Sequence, residues 1–348
     1  MPHGRKKILI FGGAFNPPHV GHLLILKKAM EYIKPDDVII SVDKISPWKH
    51  VGNLAPYKYR LEMTNNLFGN EIKYQIYNNE HNYVYSCDIV KDISKNNPDA
   101  DLFFLVGQDQ YDLITTWNNY DVINELTTIV CYRRGKTPAR HIFDKHIILS
   151  DPAFDCSSSQ IRLEPTIELL GQKNYDYIVA NNLYLQHKIK NYMSERRYEH
   201  TLRVLATITQ IAMGNNFSDG DILKCQIAAV LHDIAKQYSD QQLREIISND
   251  ELNSFPSYHC AHGLAGARLA AKDFNITDKL ILDAIDNHVI FKDVNSSNKI
   301  AKALYCADKL EPARTEQDIA NREKLFKQCC QDLETTFQTV YKLNTEKY

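Results

Sequence analysis

Short apolar runs alternate with amphipathic stretches through the first half of the chain. Helices are predicted over residues 22–32, 57–68 and 84–94. Strands are predicted around them, and several are apolar almost without interruption, which is typical of strands covered on both faces. The strand runs are 7–11, 37–42, 72–77, 101–106, 126–132 and 146–149. This alternation predicts an α/β domain with a doubly wound, Rossmann-like parallel sheet.

The strand pattern disappears after residue 194. Apolar residues then recur at helical spacing, and capping or turn-forming residues separate the segments. Helices are predicted over 195–213, 219–235, 239–247, 262–273, 278–288, 297–308 and 316–341. The second half is therefore expected to be an all-α bundle. We place the boundary in a short join, which gives domains at 1–188 and 189–348.

Composition narrows the class of protein. The chain has 348 residues, of which 44% are hydrophobic and 24% charged, and a formal net charge of -2. These proportions are typical of a globular protein, and the balanced charge argues against a general nucleic-acid or membrane-surface binder. Neither a run of about 18 apolar residues nor a signal-peptide core occurs. The 8 cysteines are scattered, so we expect reduced thiols in a cytoplasmic protein.

A glycine-rich loop follows the first predicted strand and leads into a helix. Gly12 and Gly13 allow backbone amides to approach a ligand closely. His19 and His22 are three residues apart, so both can lie on one side of the first helical turn. A helix N-terminus attracts phosphate. The loop is neither a G-x-G-x-x-G fingerprint nor a Walker P-loop, and taken alone it more often marks a turn with two surface histidines.

Further motifs make this half resemble bacterial nicotinate-nucleotide adenylyltransferases, of the H-x-G-H nucleotidyltransferase superfamily. The loop reads G-G-A-F-N-P-P-H-V-G-H at 12–22. It is followed in order by L-V-G-Q-D at 105–109, Trp117, Arg133 with Gly135, S-S-S-Q-I-R at 157–162 and Y-I…L-Y at 177–184. The likeness covers roughly residues 6–185, and an ordered series of motifs is far more specific than any one of them.

The resemblance implies transfer of AMP from ATP to nicotinate mononucleotide, with release of pyrophosphate. The attacking phosphate is already an anion, so catalysis consists of positioning and charge stabilisation. The residues implied as catalytic are His19, His22, Lys49, Ser158 and Arg162. Those implied in nucleotide binding are Gly12, Gly13, Phe15, Gly107, Asp109, Trp117, Arg133 and Ser159. Mg²⁺ would enter with ATP.

Two segments depart from the family pattern. The usual P-P-H-K loop reads S-P-W-K at 46–49, which keeps Lys49 but replaces a histidine by Trp48. The Y-T-x-D-T-L element that helps to select nicotinate reads Y-V-Y-S-C-D at 83–88. Selectivity for nicotinate over nicotinamide mononucleotide therefore stays open. An adenylyltransferase acting on another phosphate acceptor is an alternative.

Four histidines and two aspartates lie on otherwise apolar faces of the predicted C-terminal helices. They are His200, His232, Asp233, His262, His288 and Asp308. One such histidine is usually a core residue, but burying six polar side chains is costly unless they bind something. Histidines and carboxylates that project into a helical bundle build di-metal sites. Six ligands without a thiolate suit two Fe or Mn ions better than one tetrahedral zinc.

The order H…H-D…H…H…D resembles the HD-domain phosphohydrolases. The segments R-Y-E-H at 197–200, L-H-D-I-A-K at 231–236 and A-D-K-L-E-P-A-R at 307–314 resemble HD-type symmetrical diadenosine tetraphosphatases. The resemblance implies two iron ions, cleavage into two ADP, and all six residues as metal ligands with Asp233 as the catalytic bridge. Lys236, Lys309 and Arg314 are candidate phosphate contacts, although a solvated charged face is the alternative for these three.

The sequence thus predicts a cytoplasmic bifunctional enzyme. Its partners would be ATP, nicotinate mononucleotide and diadenosine tetraphosphate, with no nucleic acid and no membrane. The main alternative is an adenylyltransferase whose HD domain is a regulatory nucleotide-binding module, and the complete ligand set favours hydrolysis over regulation. The metal, the oligomeric state and any coupling between the two activities stay open.

Overall fold

A computed structural model describes residues 4–44, 54–133, 143, 145–150, 156–314 and 321–345. The chain divides into two compact units. The first comprises Met1–Lys49 and Tyr57–Ala180, and the second comprises His50–Pro56 and Asn181–Tyr348. Among the described helices, none combines the length and the apolar character needed to cross a membrane. The boundary placed between 188 and 189 from the sequence stays a prediction.

The first unit is a parallel sheet with helices between its strands, as the sequence predicts. The six strands are β1 (Lys6–Gly13), β2 (Asp37–Val42), β3 (Gln75–Ile76), β4 (Ala100–Gly107), β5 (Thr127–Arg133) and β6 (His146–Ser150). The helices are α1 (Val20–Ile33), α2 (Tyr57–Phe68), α3 (Ser86–Asn96), α4 (Gln108–Tyr111), α5 (Tyr120–Leu126), α6 (Ser158–Leu163), α7 (Ile167–Leu170) and α8 (Gln172–Ala180), with a 3₁₀ turn at Ile114–Thr116.

The strand order is β3-β2-β1-β4-β5-β6. The order reverses between β1 and β4, whose residues pair in parallel from Lys6 with Ala100 to Phe11 with Leu105. In doubly wound sheets a ligand binds in the crevice outside the carboxyl ends of the two strands at such a point. The loop after β1 and the end of β4 both lie at this edge.

Apolar side chains cover both faces of the sheet. Along β1, Ile8 and Ile10 pack in the core with α3 and α5, whereas Leu9 and Phe11 pack in the core with α1 and the end of α2. This burial on both sides explains why the strands read as continuous apolar runs rather than as alternating ones.

The start of β5 is one residue later than expected. Leu126 ends α5 instead of beginning the strand, and the Thr127 side chain donates to the Ile123 carbonyl oxygen at 2.7 Å, which satisfies the end of the helix. The apolar run crosses from a helix into a strand, so the pattern of apolar residues alone did not mark the junction.

Helices are the only regular elements among the described residues of the second unit, in agreement with the prediction. Its helices are α9 (Glu195–Gly214), α10 (Asp219–Leu231), α11 (Asp240–Arg244), α12 (Asn249–Asn253), α13 (His262–Asp273), α14 (Lys279–Asn287), α15 (Lys299–Leu310), α16 (Arg322–Cys329) and α17 (Leu333–Thr345). Short 3₁₀ segments lie at Leu185–His187, Ile189–Tyr192 and Tyr258–Ala261. Helix α15 is the centre of the bundle, because every residue from Ile300 to Leu310 is buried and it packs against α9, α10, α14 and α17.

The prediction of a single helix over 316–341 is wrong for the residues that the structure describes. Two helices, α16 and α17, replace it, and residues 315–320 lie outside the described residues. Asn215, which follows α9, stabilises the break: its Nδ2 donates to the Cys329 carbonyl oxygen at 2.8 Å and its Oδ1 accepts from the Leu333 amide at 2.9 Å. Asn215 is more than a hundred residues from both partners along the chain, so local periodicity could not reveal these bonds.

Candidate active sites

A cleft of about 330 Å³ opens in the first unit at the carboxyl ends of β1 and β4. The loop after β1, the turn after β4 and the start of α6 converge on it. The predicted site residues in its lining are Gly12, Gly13, Phe15, His19, His22, Gly107, Asp109, Trp117 and Ser158. Residues that are far apart in the sequence therefore share one cleft of a size that suits a small-molecule ligand.

The two histidines of the loop cap the first helix. His19 is the N-cap of α1, and the backbone amide of each histidine is bonded to the side chain of the other, with 3.2 Å from the His19 amide to His22 Nδ1. The ring centroids are 3.8 Å apart. A Cβ on Gly21 would lie 3.0 Å from Cε1 and Nδ1 of His19. Glycine between the two histidines thus leaves room for the buried His19 ring.

Helix α6 is bonded to the same loop. Ser158 donates through its hydroxyl to the Pro17 carbonyl oxygen at 2.9 Å. Arg162 donates from Nη1 to the Asn16 carbonyl oxygen at 2.7 Å and from Nη2 to Ser159 Oγ at 3.2 Å. Two residues before α6 begins, Cys156 Sγ lies 3.2 Å from His19 Nδ1. The loop, the histidines and α6 therefore form one connected cluster.

The segment that departs from the family pattern at 83–88 lies at the wall of this cleft. Helix α3 begins at Ser86, and residues 84–87 line the cleft. Trp117 is on the wall as well and packs edge-on against Phe104, with ring centroids 6.3 Å apart. The altered segment is thus in a position to contact a ligand directly.

In the second unit the helices bring the six predicted His and Asp side chains together. All six are buried: His200, His232, Asp233, His262, His288 and Asp308. Two groups have three ligand atoms each within 4.8 Å of one another. We call His200, His232 and Asp233 the first subsite, and Asp233, His262 and His288 the second subsite.

Asp233 belongs to both subsites through different oxygens. Its Oδ2 lies 3.3 Å from His232 Nε2, in the first subsite. Its Oδ1 lies 3.2 Å from His262 Nε2 and 3.4 Å from His288 Nε2, in the second subsite. Asp308 extends the first subsite, because its Oδ1 is 3.2 Å from His200 Nε2. A carboxylate that faces two groups in this way has the geometry of a bridging ligand.

The orientation of the imidazole rings indicates that the centre is built for cations. Nδ1 of His232, His262 and His288 contacts a backbone carbonyl oxygen at 2.7, 2.5 and 2.6 Å. A carbonyl can only accept, so Nδ1 carries the proton and the neutral ring turns the lone pair of Nε2 inward. Lone pairs that face carboxylate oxygens repel each other unless a cation lies between them. Nitrogen and carboxylate donors without thiolate suit a divalent transition-metal ion.

The pKa of His288 agrees with this, whereas the pKa of His200 favours a protonated ring, which must lose its proton before it can bind a metal. Burial lowers the pKa of His288 to about 3, which keeps its ring neutral. Burial alone would raise the pKa of Asp233, but the histidines around it hold that pKa well below its usual range. Burial would lower the pKa of His200, but the carboxylates of Asp308 and Glu311 raise it to about 9. The ionised aspartates and the His288 ring are thus in the forms that bind metals.

Basic side chains surround the two aspartates. Arg197 donates from Nη1 to Asp233 Oδ2 at 2.7 Å. Lys309 is buried, with Nζ 3.0 Å from Asp308 Oδ2 and 2.7 Å from the His288 carbonyl oxygen, and burial lowers its pKa. Arg314 Nη1 lies 3.1 Å from Asp308 Oδ1. This concentration of positive charge suits a polyanionic ligand.

Comparison with known proteins matches each half of the chain to a family. The cytidylyltransferase-like family matches residues 10–164, and the HD domain family matches residues 197–313. A "Probable nicotinate-nucleotide adenylyltransferase/Ap4A hydrolase" of Mycoplasma genitalium is 29% identical over 327 residues, which are 90% of this chain and 89% of that protein. A "Probable nicotinate-nucleotide adenylyltransferase" of Shouchella clausii is 31% identical over 146 residues, which are 41% of this chain and 76% of that protein. The chain belongs to the nicotinate-nucleotide adenylyltransferase family and carries an HD domain.

We refer to residues 10–164 as the cytidylyltransferase-like domain and to 197–313 as the HD domain. A solved structure of the Plasmodium falciparum nicotinic acid mononucleotide adenylyltransferase complexed with NaAD matches with 21% identity and a TM-score of 0.46, covering 51% of this chain and 97% of that chain. The two family models and the Mycoplasma genitalium relative confirm the two family resemblances that the sequence indicates.

Three predicted residues of the cytidylyltransferase-like domain that the structure describes are not among those that line the cleft. Ser159 and Arg162 lie behind the loop in α6, and Arg133 lies at the end of β5. Lys49, with Trp48 and the rest of its loop, lies outside the described residues. The roles of all four stay predictions.

The HD domain contains further polar residues near the predicted metal ligands, which the sequence did not predict as site residues. Arg197 and Glu311 contact Asp233 and His200, and Arg203 bonds Glu311. Each of the first two lies three residues from a predicted ligand, Arg197 before His200 and Glu311 after Asp308, so helical spacing was the available signal. Of the predicted phosphate contacts, Lys236 lies 3.5 Å from His262 Nε2.

Proposed function

We propose that this chain is a bifunctional nucleotide enzyme. In this proposal the cytidylyltransferase-like domain transfers AMP from ATP to nicotinate mononucleotide, and the HD domain hydrolyses diadenosine tetraphosphate to two ADP. The observation that carries the second activity is the pair of subsites that share Asp233. The convergence of the histidine loop and α6 on one cleft supports the first. The Mycoplasma genitalium relative is described by both names.

In the proposed transfer reaction, the start of α1 holds the phosphates of ATP. His22 lines the cleft and its Nδ1 accepts from the His19 amide, so Nε2 carries the proton of the neutral ring and can donate to a phosphate oxygen. Asp109, at the start of α4, would accept from the ribose hydroxyls. No general base is required, because the attacking phosphate is an anion, and Mg²⁺ bound to ATP neutralises part of the charge.

Ser158 and Arg162 hold the histidine loop in this proposal, in addition to the catalytic roles that the resemblance implies. Both donate to carbonyl oxygens of the loop, so they hold the loop against α6, and the guanidinium adds positive charge beside the phosphates. Lys49 would approach the phosphates from its own loop. Trp117 supplies an aromatic wall of the cleft for the nicotinate ring.

In the proposed hydrolysis, the HD domain holds its substrate by charge. Divalent Fe or Mn ions at the two subsites would lower the pKa of a water molecule and polarise the phosphate that is attacked. The four histidines direct Nε2 inward, and Asp233 keeps one oxygen on each subsite. Arg197 and Lys236 are the partly exposed cations beside the centre and would contact the outer phosphates. Lys309 instead holds Asp308 in place.

The decisive experiment assigns one product to each site. Purified full-length chain is incubated with ATP, Mg²⁺ and nicotinate mononucleotide, and separately with Mn²⁺ and diadenosine tetraphosphate, and products are separated by chromatography. We expect His22→Ala to remove the first product and Asp233→Ala to remove the second, each leaving the other reaction intact. Better turnover of pantetheine phosphate than of nicotinate mononucleotide would refute the acceptor. An HD domain that binds nucleotide but forms no ADP would favour regulation.

A further inference from the structure

One of the four metal-site histidines is held in a different way from the other three. His232, His262 and His288 each direct Nδ1 at the backbone carbonyl oxygen of the residue three positions earlier. His200 directs Nδ1 at a side chain instead, the carboxylate of Glu311, whose Oε1 is 3.2 Å away. The two subsites therefore differ in what supports their ligands.

The position of each histidine in its helix explains this difference. His232 and His288 directly follow α10 and α14, and His262 directly follows the 3₁₀ segment Tyr258–Ala261. The last carbonyl groups of a helix have no partner within it and can accept from an imidazole. His200 is the sixth residue of α9 and lies well inside it. There the preceding carbonyls are occupied by the helix ladder. A side-chain acceptor is required, and Glu311 supplies it.

Glu311 is itself fixed in place. It is 1% exposed, and its Oε2 accepts from Arg203 Nε at 3.0 Å and from the Ala313 amide at 2.9 Å. Asp308 Oδ1 lies on the other nitrogen of the His200 ring, 3.2 Å from Nε2. Glu311 is thus behind the ring, where it bonds the histidine without reaching the atoms that face the metal centre.

We propose that Glu311 is a positioning residue that selectively strengthens the first subsite by holding His200 in place. The inference rests on the dinuclear centre of the proposed function. A carboxylate that accepts a hydrogen bond from a metal-binding histidine fixes the tautomer of the ring. It also makes the other ring nitrogen a stronger metal ligand than a backbone carbonyl acceptor would. The second subsite contains no such carboxylate–histidine pair among the described residues, so removal of Glu311 affects one subsite and spares the other.

The test measures binding of Mn²⁺ alone to the metal-free full-length chain, by isothermal titration and by metal analysis after dialysis. We expect two binding steps in the wild type. Glu311→Ala should weaken one step by about 10–100-fold, the usual effect of losing such a partner, and leave the other within about threefold. In a double-mutant cycle with His200→Ala, adding Glu311→Ala should cause no further loss, because the two residues act through one contact.

Glu199→Ala is the matched control. Glu199 lies 4.0 Å from the same Arg203 guanidinium but is exposed, so its loss should leave both steps unchanged. Equal weakening of both steps by Glu311→Ala, or full additivity with His200→Ala, would show that Glu311 only supports the fold. Unchanged Mn²⁺ binding in Glu311→Ala would overturn the inference while leaving the proposed function standing. Wild type that binds fewer than two ions would overturn both.

Discussion

At the scale of single residues, His22 carries the clearest expectation for the transfer reaction. It lines the cleft at the start of α1, and the ring presents a donor to the phosphates in the proposed mechanism. His22→Ala should lower kcat by about 10²-fold or more, as when one charge-stabilising donor is lost. Pyrophosphate release with ATP and nicotinate mononucleotide measures it. The exposed His81 provides the control, since His81→Ala should leave kcat unchanged; equal rates in both variants would contradict the role.

A second prediction at this scale concerns Gly21, whose role is to leave space for the His19 ring. A Cβ there would approach His19 Cε1 and Nδ1 to 3.0 Å, and the ring has Cys156 beside it. Gly21→Ala should displace the ring and lower kcat by about tenfold or more, since small misplacements of a binding group are costly. Gly4→Ala, where a Cβ meets no atom within 4 Å, is the matched control. Wild-type kcat in Gly21→Ala would show that His19 tolerates movement.

The sequence predicted side chains that the structure brings together in each unit, where a motif itself carries the chemistry. A buried run that ends in His232 and Asp233 is unusual enough to be noticed without a structure. Glu311 and Arg197 were not found, because a charged residue near a helix end is usually solvated, and only packing shows which ones turn inward. The contact between His200 and Glu311 joins α9 to the end of α15 and depends on the tertiary fold.

At the scale of elements, the apolar pattern predicted the strands of the sheet and the helices of the bundle. It failed where tertiary contacts decide the ends. Residues 316–341 contain no glycine or proline, so the pattern predicted one helix. The break between α16 and α17 depends on Asn215 and on Asp332, whose Oδ1 accepts from the Thr335 amide at 3.0 Å. Asp332 is an ordinary N-capping signal that the long periodic run obscured.

Helix α17 supplies a prediction of its own, on how the last helix is held. Phe337 is fully buried, with ring centroids 4.7 Å from Phe291 and 5.7 Å from Tyr305 of α15. Phe337→Ala should lower the free energy of unfolding by about 3–5 kcal/mol, through lost burial and an unfilled cavity. Urea unfolding measures this. Leu343→Ala, on the same helix but 37% exposed, should cost less than about 1 kcal/mol; similar costs for both would show that α17 is not docked through Phe337.

At the scale of the whole molecule, the order of elements along the chain does not coincide with the two units. Leu54–Pro56 belong to the second unit although they directly precede Tyr57–Ala180 of the first. Within the second unit, Gln226 Nε2 donates to the Leu54 carbonyl oxygen at 3.1 Å. The composition of the chain indicates one boundary, and Leu54 lies far from it in the sequence. The boundary at 188–189 stays a prediction.

Fragments that include or omit the residues before α9 test where the second unit begins. Leu183, Leu185 and Ile189 are buried, and the 3₁₀ segments that contain the last two pack against α10 and α9. A fragment of residues 190–348 lacks all three, and burying each such side chain contributes about 1.5–3 kcal/mol. A fragment of residues 181–348 keeps them, and both fragments equally lack 50–56.

We therefore expect the 181–348 fragment to unfold cooperatively and the 190–348 fragment to unfold at least about 8 °C lower, or to be insoluble. Thermal unfolding followed by circular dichroism makes the comparison. Equal midpoints would place the boundary at 188–189, as composition suggested, and would mean that residues 181–189 contribute nothing to the stability of the bundle.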